Sequence, residues 1–241
     1  MASTDQPLLA FSAAPPAHAA DRRSPGPSPR PRKLRLLRWF PDAWVLTFAA
    51  AADNALYLTF DDGPDPEHTP RMLDLLARHD AKATFFVIGE RAREHPALMR
   101  RIVEEGHALG NHSWSHPRFE RLSTSARFEE ISRTDELLGG FDGRRMHDFR
   151  PPHGATPPGL LVACLRNGVR IVHWSYNSLD YSHRDPDDLV ATVRDHPVQA
   201  GDVILMHDDS AHSHGMLSVL LPEWKQKGHV FRAIGRAGKG A

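Results

Sequence analysis

Two adjacent carboxylates, Asp61 and Asp62, follow a short apolar run and stand directly before Gly63 and Pro64. Glycine and proline end a strand and open a tight loop, so both acids are predicted at a strand end. Neighbouring carboxylates repel, and a bound cation removes this cost because carboxylate oxygens are metal ligands. One acid could bind the ion while the other acts as a general base toward water. On its own the motif is also typical of an acidic surface turn.

Two histidines four residues apart, His112 and His116, are the second feature. On a helical turn this spacing places both imidazoles on one side, where they could bind one ion. The 16 histidines of the chain make about one such pair by chance, so the pair needs a partner. Asp62 would complete a set of two imidazoles and one carboxylate, which is typical of a catalytic ion with positions open for water and substrate. These ligands suit zinc and do not exclude cobalt or nickel.

A third motif, Arg-Pro-Pro-His-Gly, begins at Arg150 and contains His153. Arg150 could pair with Asp61 and lower the pKa of that acid, which would keep it ionised. The prolines stiffen the loop, and a backbone N–H within it could face a developing oxyanion. The alternative is a rigid turn with a solvated arginine.

The remaining polar groups are Asp180 and His207. A carboxylate that is hydrogen-bonded to a histidine raises the pKa of the imidazole and favours its charged form. Such an imidazolium could protonate a leaving amine. For His207 taken alone, a structural role in a loop is the default interpretation.

Alternating strand and helix patterns must position these side chains. We predict strands over residues 55–60, 83–88, 108–109, 147–150, 169–176, 203–206 and 230–234. We predict helices over residues 69–79, 96–105, 123–138, 156–167, 186–195 and 216–227. This alternation indicates an α/β fold with a parallel sheet or an α/β barrel. The polar motifs follow predicted strands, and in a barrel those strand ends share the face that carries active sites.

The composition excludes several classes of protein. The 241 residues are enough for one large α/β domain. With 30 basic and 30 acidic residues the formal net charge is +0, which argues against a nucleic-acid partner bound through its phosphates. A polar, uncharged or mildly charged substrate is compatible with this balance. The single cysteine, Cys164, excludes an intrachain disulfide.

The N-terminal part of the chain differs in composition from the rest. Residues 1–31 are rich in proline, alanine, serine and arginine, which predicts a disordered tail. Residues 17–20 resemble a signal cleavage site, but the start lacks a basic residue and its apolar core is short. We therefore slightly favour a cytoplasmic location, or one at the inner face of the membrane, over secretion.

Residues 30–44 interleave basic and aromatic side chains and could contact an anionic membrane surface peripherally. The alternative, which we favour, is a short segment that packs its aromatics on the domain. Residues 44–52 are apolar but too short to span a bilayer. The catalytic domain is predicted over residues 53–235, with residues 236–241 as a tail.

Taken together, the motifs resemble those of the polysaccharide deacetylase family, the NodB-homology domain of carbohydrate esterase family 4. In chain order they occupy residues 59–64, 112–116, 150–154, 177–181 and 205–207. The resemblance covers residues 55–234 and implies a deformed (β/α) barrel that removes N-acetyl groups from N-acetylglucosamine-type sugars with a divalent metal. By position it implies a base at Asp61, metal ligands at Asp62, His112 and His116, a base-orienting Arg150, an acid at His207, its tuning carboxylate Asp180 and an acetyl-pocket wall at Leu205.

The chain departs from the family pattern at three positions. Asn177 stands where the family usually has aspartate, Tyr181 where it has tryptophan, and His153 where it has tyrosine. Tyr181 is still aromatic and could wall the acetyl pocket, and His153 could act through its backbone N–H. We therefore expect an altered fit to substrate and retained chemistry.

Three rival functions stay open at this point. The same scaffold could remove O-acetyl groups or hydrolyse small cyclic amides, or it could be a non-catalytic carbohydrate- or metal-binding module. Retention of both Asp61 and His207 argues against a binding module, which needs neither base nor acid. His212 and His214 could form a second metal site, although we favour a mobile polar loop there.

Overall fold

Short strands alternate with helices along the part of the chain that the computed structural model describes, residues 28–31, 33–50, 52–182 and 184–235. The strands are β1 (Val45–Leu46), β2 (Ala55–Asp61), β3 (Ala83–Val87), β4 (Ala108–Asn111), β5 (Ile171–Val172), β6 (Tyr176–Asn177), β7 (Val203–His207) and β8 (Val230–Phe231). The helices are α1 (His68–Arg78), α2 (Gly89–Glu94), α3 (Pro96–Glu104), α4 (Thr124–Asp142), α5 (Pro158–Arg166), α6 (Pro186–Asp195) and α7 (Ala211–Gln226). The predicted α/β alternation is confirmed.

The strands form two parallel sheets that are joined to each other. One sheet has the order β4-β3-β2-β7-β6, with β8 paired to the start of β2. β1 and β5 form the second group, and bridges from Phe149 to Asn111 and to Ile171 join it to β4. A further bridge between Phe48 and Asp202 connects the end of β1 with the start of β7. This arrangement of two joined sheets matches the deformed (β/α) barrel that the sequence predicts.

Strand β2 carries side chains into two environments, because side chains alternate between the faces of a strand. Leu56, Leu58 and Phe60 are fully buried in the main core, which also contains the inner faces of α1, α3, α6 and α7. Asp61 points to the other face of the sheet, where it meets the fully buried guanidinium of Arg150. The buried apolar side chains therefore fix the strand that carries Asp61.

The predicted strand over residues 169–176 is wrong as a single element. The chain forms β5 and β6 there, and the two strands belong to different sheets. Between them, the His173 carbonyl accepts a hydrogen bond from Arg150, and the Ser175 N–H donates to the Val203 carbonyl. Hydrogen bonds to Arg150 and Val203, which are distant in the sequence, thus direct the backbone from one sheet to the other.

Two helices also differ from the prediction. Helix α2 was not predicted, and α7 begins at Ala211, earlier than the predicted start at residue 216. His212 and His214 therefore lie in the first turn of α7, so the mobile loop predicted there is wrong. Within the described ranges, the cluster of ligating side chains found by geometry includes neither histidine.

Residues that precede the predicted domain boundary at residue 53 belong to the fold. Strand β1 pairs with β5, and Leu37 and Phe40 pack against the cluster around Phe149. Arg30 donates two hydrogen bonds, of 3.0 and 2.9 Å, to the buried carboxylate of Asp202. The packed structure therefore extends N-terminal to residue 53, a boundary that was placed at a change in residue types and not at the first strand.

The aromatic residues of this N-terminal segment divide between two environments. Phe40 packs on the domain as favoured above, whereas Trp39 is 87% exposed and Trp44 is 48% exposed. Among the residues placed by the structure, no helix combines the length and apolar character needed to cross a membrane. Of the disordered tail predicted over residues 1–31, residues 1–27 lie outside the described residues, as does the predicted tail of residues 236–241.

Candidate metal centre and active site

Asp62, His112 and His116 converge at one end of the strands. One ligand atom from each lies within 4.8 Å of the others. The Nε2 atoms of His112 and His116 are 3.4 and 3.3 Å from the same carboxylate oxygen, Oδ1 of Asp62. The structure thus brings together the three residues that the sequence proposed as ligands.

The chemistry of these side chains fits a divalent cation. Oδ1 of Asp62 is buried and has no hydrogen-bond partner among the described residues, and an unpaired buried carboxylate oxygen is costly. His112 hydrogen-bonds through Nδ1 to the Arg150 carbonyl at 2.7 Å, which leaves Nε2 directed toward Asp62. Burial lowers the pKa of His112 to about 3, so the ring is neutral, as a metal ligand must be.

The two histidines lie in a loop and not on the helical turn that the spacing suggested. Ser113 and His116 adopt left-handed backbone conformations, with φ of 69° and 55°. The Ser113 hydroxyl accepts a hydrogen bond from the His116 N–H at 3.1 Å. The carboxylate of Glu130 accepts from the N–H groups of Trp114 and Ser115. These contacts fold the loop so that both rings still face one point, with centroids 5.0 Å apart.

Asp62 is held by the loop that Gly63 makes possible. Asp62 has a φ of 72°, and its carbonyl accepts a hydrogen bond from Arg91 at 2.8 Å. A Cβ on Gly63 would overlap the carboxylate of Asp208, so the backbone can approach β7 this closely only with glycine. The Gly-Pro signal in the sequence therefore has a packing reason as well as a turn reason.

Asp61 is buried beside this centre and is bound by Arg150. The Arg150 guanidinium donates to Oδ1 of Asp61 at 2.7 Å, while Oδ2 lies 3.8 Å from Nε2 of His112. Burial raises the pKa of Asp61, and the charge of Arg150 opposes this only in part. Arg150 lowers the pKa of Asp61, as the sequence suggested, but burial outweighs this effect and the net direction is upward. A raised pKa makes Asp61 a stronger base.

His207 lies opposite Asp61 in the register of β7 and β2. Its Nδ1 is 3.0 Å from Oδ1 of Asp180, and its backbone N–H donates to the other oxygen at 2.7 Å. Burial alone would lower the pKa of His207, but the contacts with Asp180 raise it to about 10. The Ser213 hydroxyl, which the sequence did not point to, also donates to Asp180. His207 is therefore an imidazolium near neutral pH.

The proposed substrate-contacting residues surround these groups. The Tyr181 ring is 53% exposed and stands edge-on to His207, with centroids 5.8 Å apart. The exposed His153 ring lies 4.6 Å from the His116 ring, and its residue has a φ of 58°. Leu205 is buried on β7 two residues before His207, so both side chains share one face of the strand.

Sequence reasoning missed several buried polar groups around the site. Asp208 receives a hydrogen bond from the Thr69 hydroxyl, and burial raises the pKa of this acid to about 7. Asn111 is a second such group, and it is completely buried. The signal that could have revealed them is their position next to predicted site residues, since Asn111 directly precedes His112 and Asp208 directly follows His207.

The geometry defines a class of protein. A buried base and a cationic acid lie on neighbouring strands beside three residues that fit a divalent ion, on a scaffold of parallel strands and helices. This is the arrangement of a metal-dependent hydrolase whose leaving group needs a proton.

Comparison with known proteins identifies the family. The family model described as polysaccharide deacetylase matches residues 49–172. The chain is 35% identical over 202 residues to a peptidoglycan-N-acetylglucosamine deacetylase of Bacillus cereus, covering 80% of this chain and 73% of that protein. The chain therefore belongs to the polysaccharide deacetylase family, and the resemblance seen in the sequence is confirmed.

Two further relatives agree. A chitooligosaccharide deacetylase of Rhizobium leguminosarum bv. trifolii is 36% identical, over 66% of this chain and 74% of that protein. The crystal structure of the Bc1960 peptidoglycan N-acetylglucosamine deacetylase superposes with a TM-score of 0.76 at 32% identity, covering 83% of this chain and 94% of the other. The fold predicted from the sequence is thus shared with a solved structure.

Proposed function

We propose that this protein hydrolyses N-acetyl groups on N-acetylglucosamine-type sugars of a poly- or oligosaccharide and releases acetate. The observation that carries the proposal is the placement of Asp61 and His207 opposite each other on paired strands, beside a centre that fits a divalent ion. An amide needs both a base for the attacking water and an acid for its poorly leaving nitrogen. The named relatives act on glycans with this acetamide group.

The two protonatable groups would divide the work. Asp61 accepts the proton of the attacking water, and Arg150 keeps its carboxylate oriented through the 2.7 Å hydrogen bond. His207, kept cationic by Asp180, donates its proton to the departing nitrogen as the carbon–nitrogen bond breaks. By its place in the Arg-Pro-Pro-His-Gly motif, the backbone N–H of His153 would stabilise the oxyanion.

We propose zinc as the ion that Asp62, His112 and His116 would hold. Two neutral imidazoles and one carboxylate are ligands of catalytic zinc, although cobalt and nickel accept the same set. A bound divalent ion supplies Lewis-acid polarisation of the amide carbonyl and lowers the pKa of water. Metal content after dialysis, followed by titration with each ion, would identify the preferred one.

The test is mass spectrometry of a panel of N-acetylated oligosaccharides incubated with the protein. We expect the loss of acetyl groups, and a chelator should stop it until zinc is restored. An O-acetylated sugar and a small cyclic amide are incubated in parallel, because they are the substrates of the two rival reactions. Exclusive turnover of either alternative would replace the proposed reaction, and metal binding without turnover of any compound would indicate a binding module.

We also propose that residues 30–44 touch an anionic membrane surface peripherally. Leu36 and Trp39 are 72% and 87% exposed beside basic residues of the same segment, and tryptophan favours the membrane interface. Trp39→Ala should reduce co-sedimentation with phosphatidylglycerol vesicles relative to the exposed control Val162→Ala. Equal co-sedimentation of the two variants would contradict this contact.

A further inference from the structure

Asn111 ends β4 directly before the candidate ligand His112, and its side chain is completely buried. Its Oδ1 accepts a hydrogen bond from the Ser113 N–H at 2.9 Å. Its Nδ2 donates to the Ile131 carbonyl at 2.8 Å and to Oδ1 of Asp135 at 3.0 Å. The side chain thus bridges over His112 and ties the residue on its far side to helix α4.

The backbone of Asn111 fixes the same ligand from a second direction. The Asn111 carbonyl accepts from the Arg150 N–H at 2.9 Å, and the Arg150 carbonyl binds Nδ1 of His112 at 2.7 Å. The orientation of the imidazole therefore depends on how β4 lies against residues 148–150. Asn111 makes the first of these contacts, whereas the second joins Arg150 directly to the ring, and Asn111 itself touches no reacting group.

Asp135 orients the amide of Asn111. Its Oδ1 receives, besides Nδ2 of Asn111, the backbone N–H of His147 at 3.1 Å and Nδ1 of the same residue at 3.0 Å. Nε2 of His147 reaches the carboxylate of Asp142 at 3.1 Å. Both ring nitrogens of His147 thus face carboxylate oxygens, which can only accept, and these two carboxylates raise the pKa of the ring against the effect of burial. Asp135 is thereby fixed as an acceptor for Asn111.

We propose that Asn111 is a positioning residue for the metal ligand His112, and that Asp135 and His147 hold its amide in the required orientation. The proposal rests on the metal site of the proposed function. Removing the direct hydrogen-bond partner of a ligating imidazole usually costs about 10–100-fold in metal affinity. The direct partner of His112 is the Arg150 carbonyl, and the Asn111 side chain acts one step behind it, by holding the loop that carries the ring. If these buried groups were purely structural, substituting them would lower the stability of the protein without changing its metal affinity.

The experiment compares Asn111→Ala with Thr134→Val in the full chain. Thr134 is a matched control because it neighbours Asp135 on α4, is equally buried, and donates only to the Glu130 carbonyl of its own helix. Co²⁺ affinity is measured by competition with a chromophoric chelator, together with the visible spectrum of the cobalt protein and the melting temperature of the metal-free protein. We expect Asn111→Ala to weaken Co²⁺ binding by up to about 10-fold, the lower end of the range for a direct partner of the ring, and to shift the spectrum, whereas Thr134→Val changes only the melting temperature.

Wild-type affinity and spectrum in Asn111→Ala would overturn the proposal. If that variant does not fold, His147→Gln is measured in its place, because it loosens Asp135 without entering the loop. A smaller change in affinity and spectrum in His147→Gln would support the proposal. Wild-type affinity and spectrum in this variant would overturn it. A wild-type protein that binds no Co²⁺ would instead reject the metal site and this inference with it, so the two failures are distinguishable.

Discussion

Asp61 shows how burial changes the role of a single residue. An aspartate paired with arginine is expected to have a lowered pKa, yet desolvation moves the pKa of this group upward. Arg150 is equally buried and restrains the carboxylate from one side. Asp61 is thus an oriented carboxylate with a raised pKa. It accepts a proton more readily than a carboxylate of low pKa would, as a general base must.

Asp61→Asn is expected to reduce acetate release about 10²–10⁴-fold, because the amide cannot accept the proton of water. Metal content should stay at the wild-type level, since the ligating oxygen belongs to Asp62. The measurement is acetate release alongside metal analysis. Asp53→Asn, which changes an exposed carboxylate, is the control, and near-normal turnover in Asp61→Asn would reject the assigned base.

Asp180→Asn is expected to move the alkaline limb of the pH–activity profile to lower pH. His207 acts as an acid only while protonated, so activity falls as pH rises through its pKa of about 10. Without the Asp180 carboxylate the pKa of His207 drops, because burial is then the dominant influence. The check is kcat/KM as a function of pH, and an unchanged alkaline limb would contradict the assignment of His207 as the acid.

At the scale of elements, the site depends on the loop that leaves β2. Gly63 lets this loop pass against Asp208 on the extension of β7, and Asp208 is in turn bound by Thr69 at the start of α1. The position of Asp62 therefore depends on the contact between three elements. A small change in one of them should reach the metal ligand.

Gly63→Ala tests this dependence, because the added methyl group would overlap the Asp208 carboxylate. We expect destabilisation of about 1–3 kcal/mol from overpacking and weaker metal binding. The control is Gly140→Ala in α4, where nothing lies within 4 Å of the new Cβ and helix propensity predicts a gain of about 0.5–1 kcal/mol. Thermal unfolding and metal titration of both variants give the answer, and equal behaviour would refute the packing argument.

For the molecule as a whole, the N-terminal segment completes the fold. β1 extends the second sheet through β5, and Arg30 neutralises Asp202, whose side chain is fully buried. Arg30 also lies over the Tyr176 ring, 5.2 Å from its centroid. A segment that sequence composition assigned to a tail and lead-in therefore stabilises the side of the domain that carries β6.

A chain that starts at residue 53 should be less stable than one that starts at residue 28. It loses the pairing of β1 and leaves Asp202 buried without its arginine, and each kcal/mol lost lowers Tm by about 2–4 °C in a protein of this size. Thermal unfolding of the two chains is the measurement. Arg30→Met in the longer chain isolates the ion pair, and equal Tm values for the two chains would show that residues 28–52 contribute nothing.

The sequence alone predicted the alternation of most strands and helices and the identity of the candidate ligands. Alternation of apolar residues sets strands and helices locally, and Asp62, His112 and His116 are recognisable by type and spacing. The tertiary structure alone decided that residues 169–176 split between two sheets, that β1 belongs to the domain, and that the pKa of Asp61 is raised. These outcomes depend on burial and on partners far away in the chain, such as Arg150 and Val203. Local sequence carries no information on which distant group will desolvate or bind a given side chain.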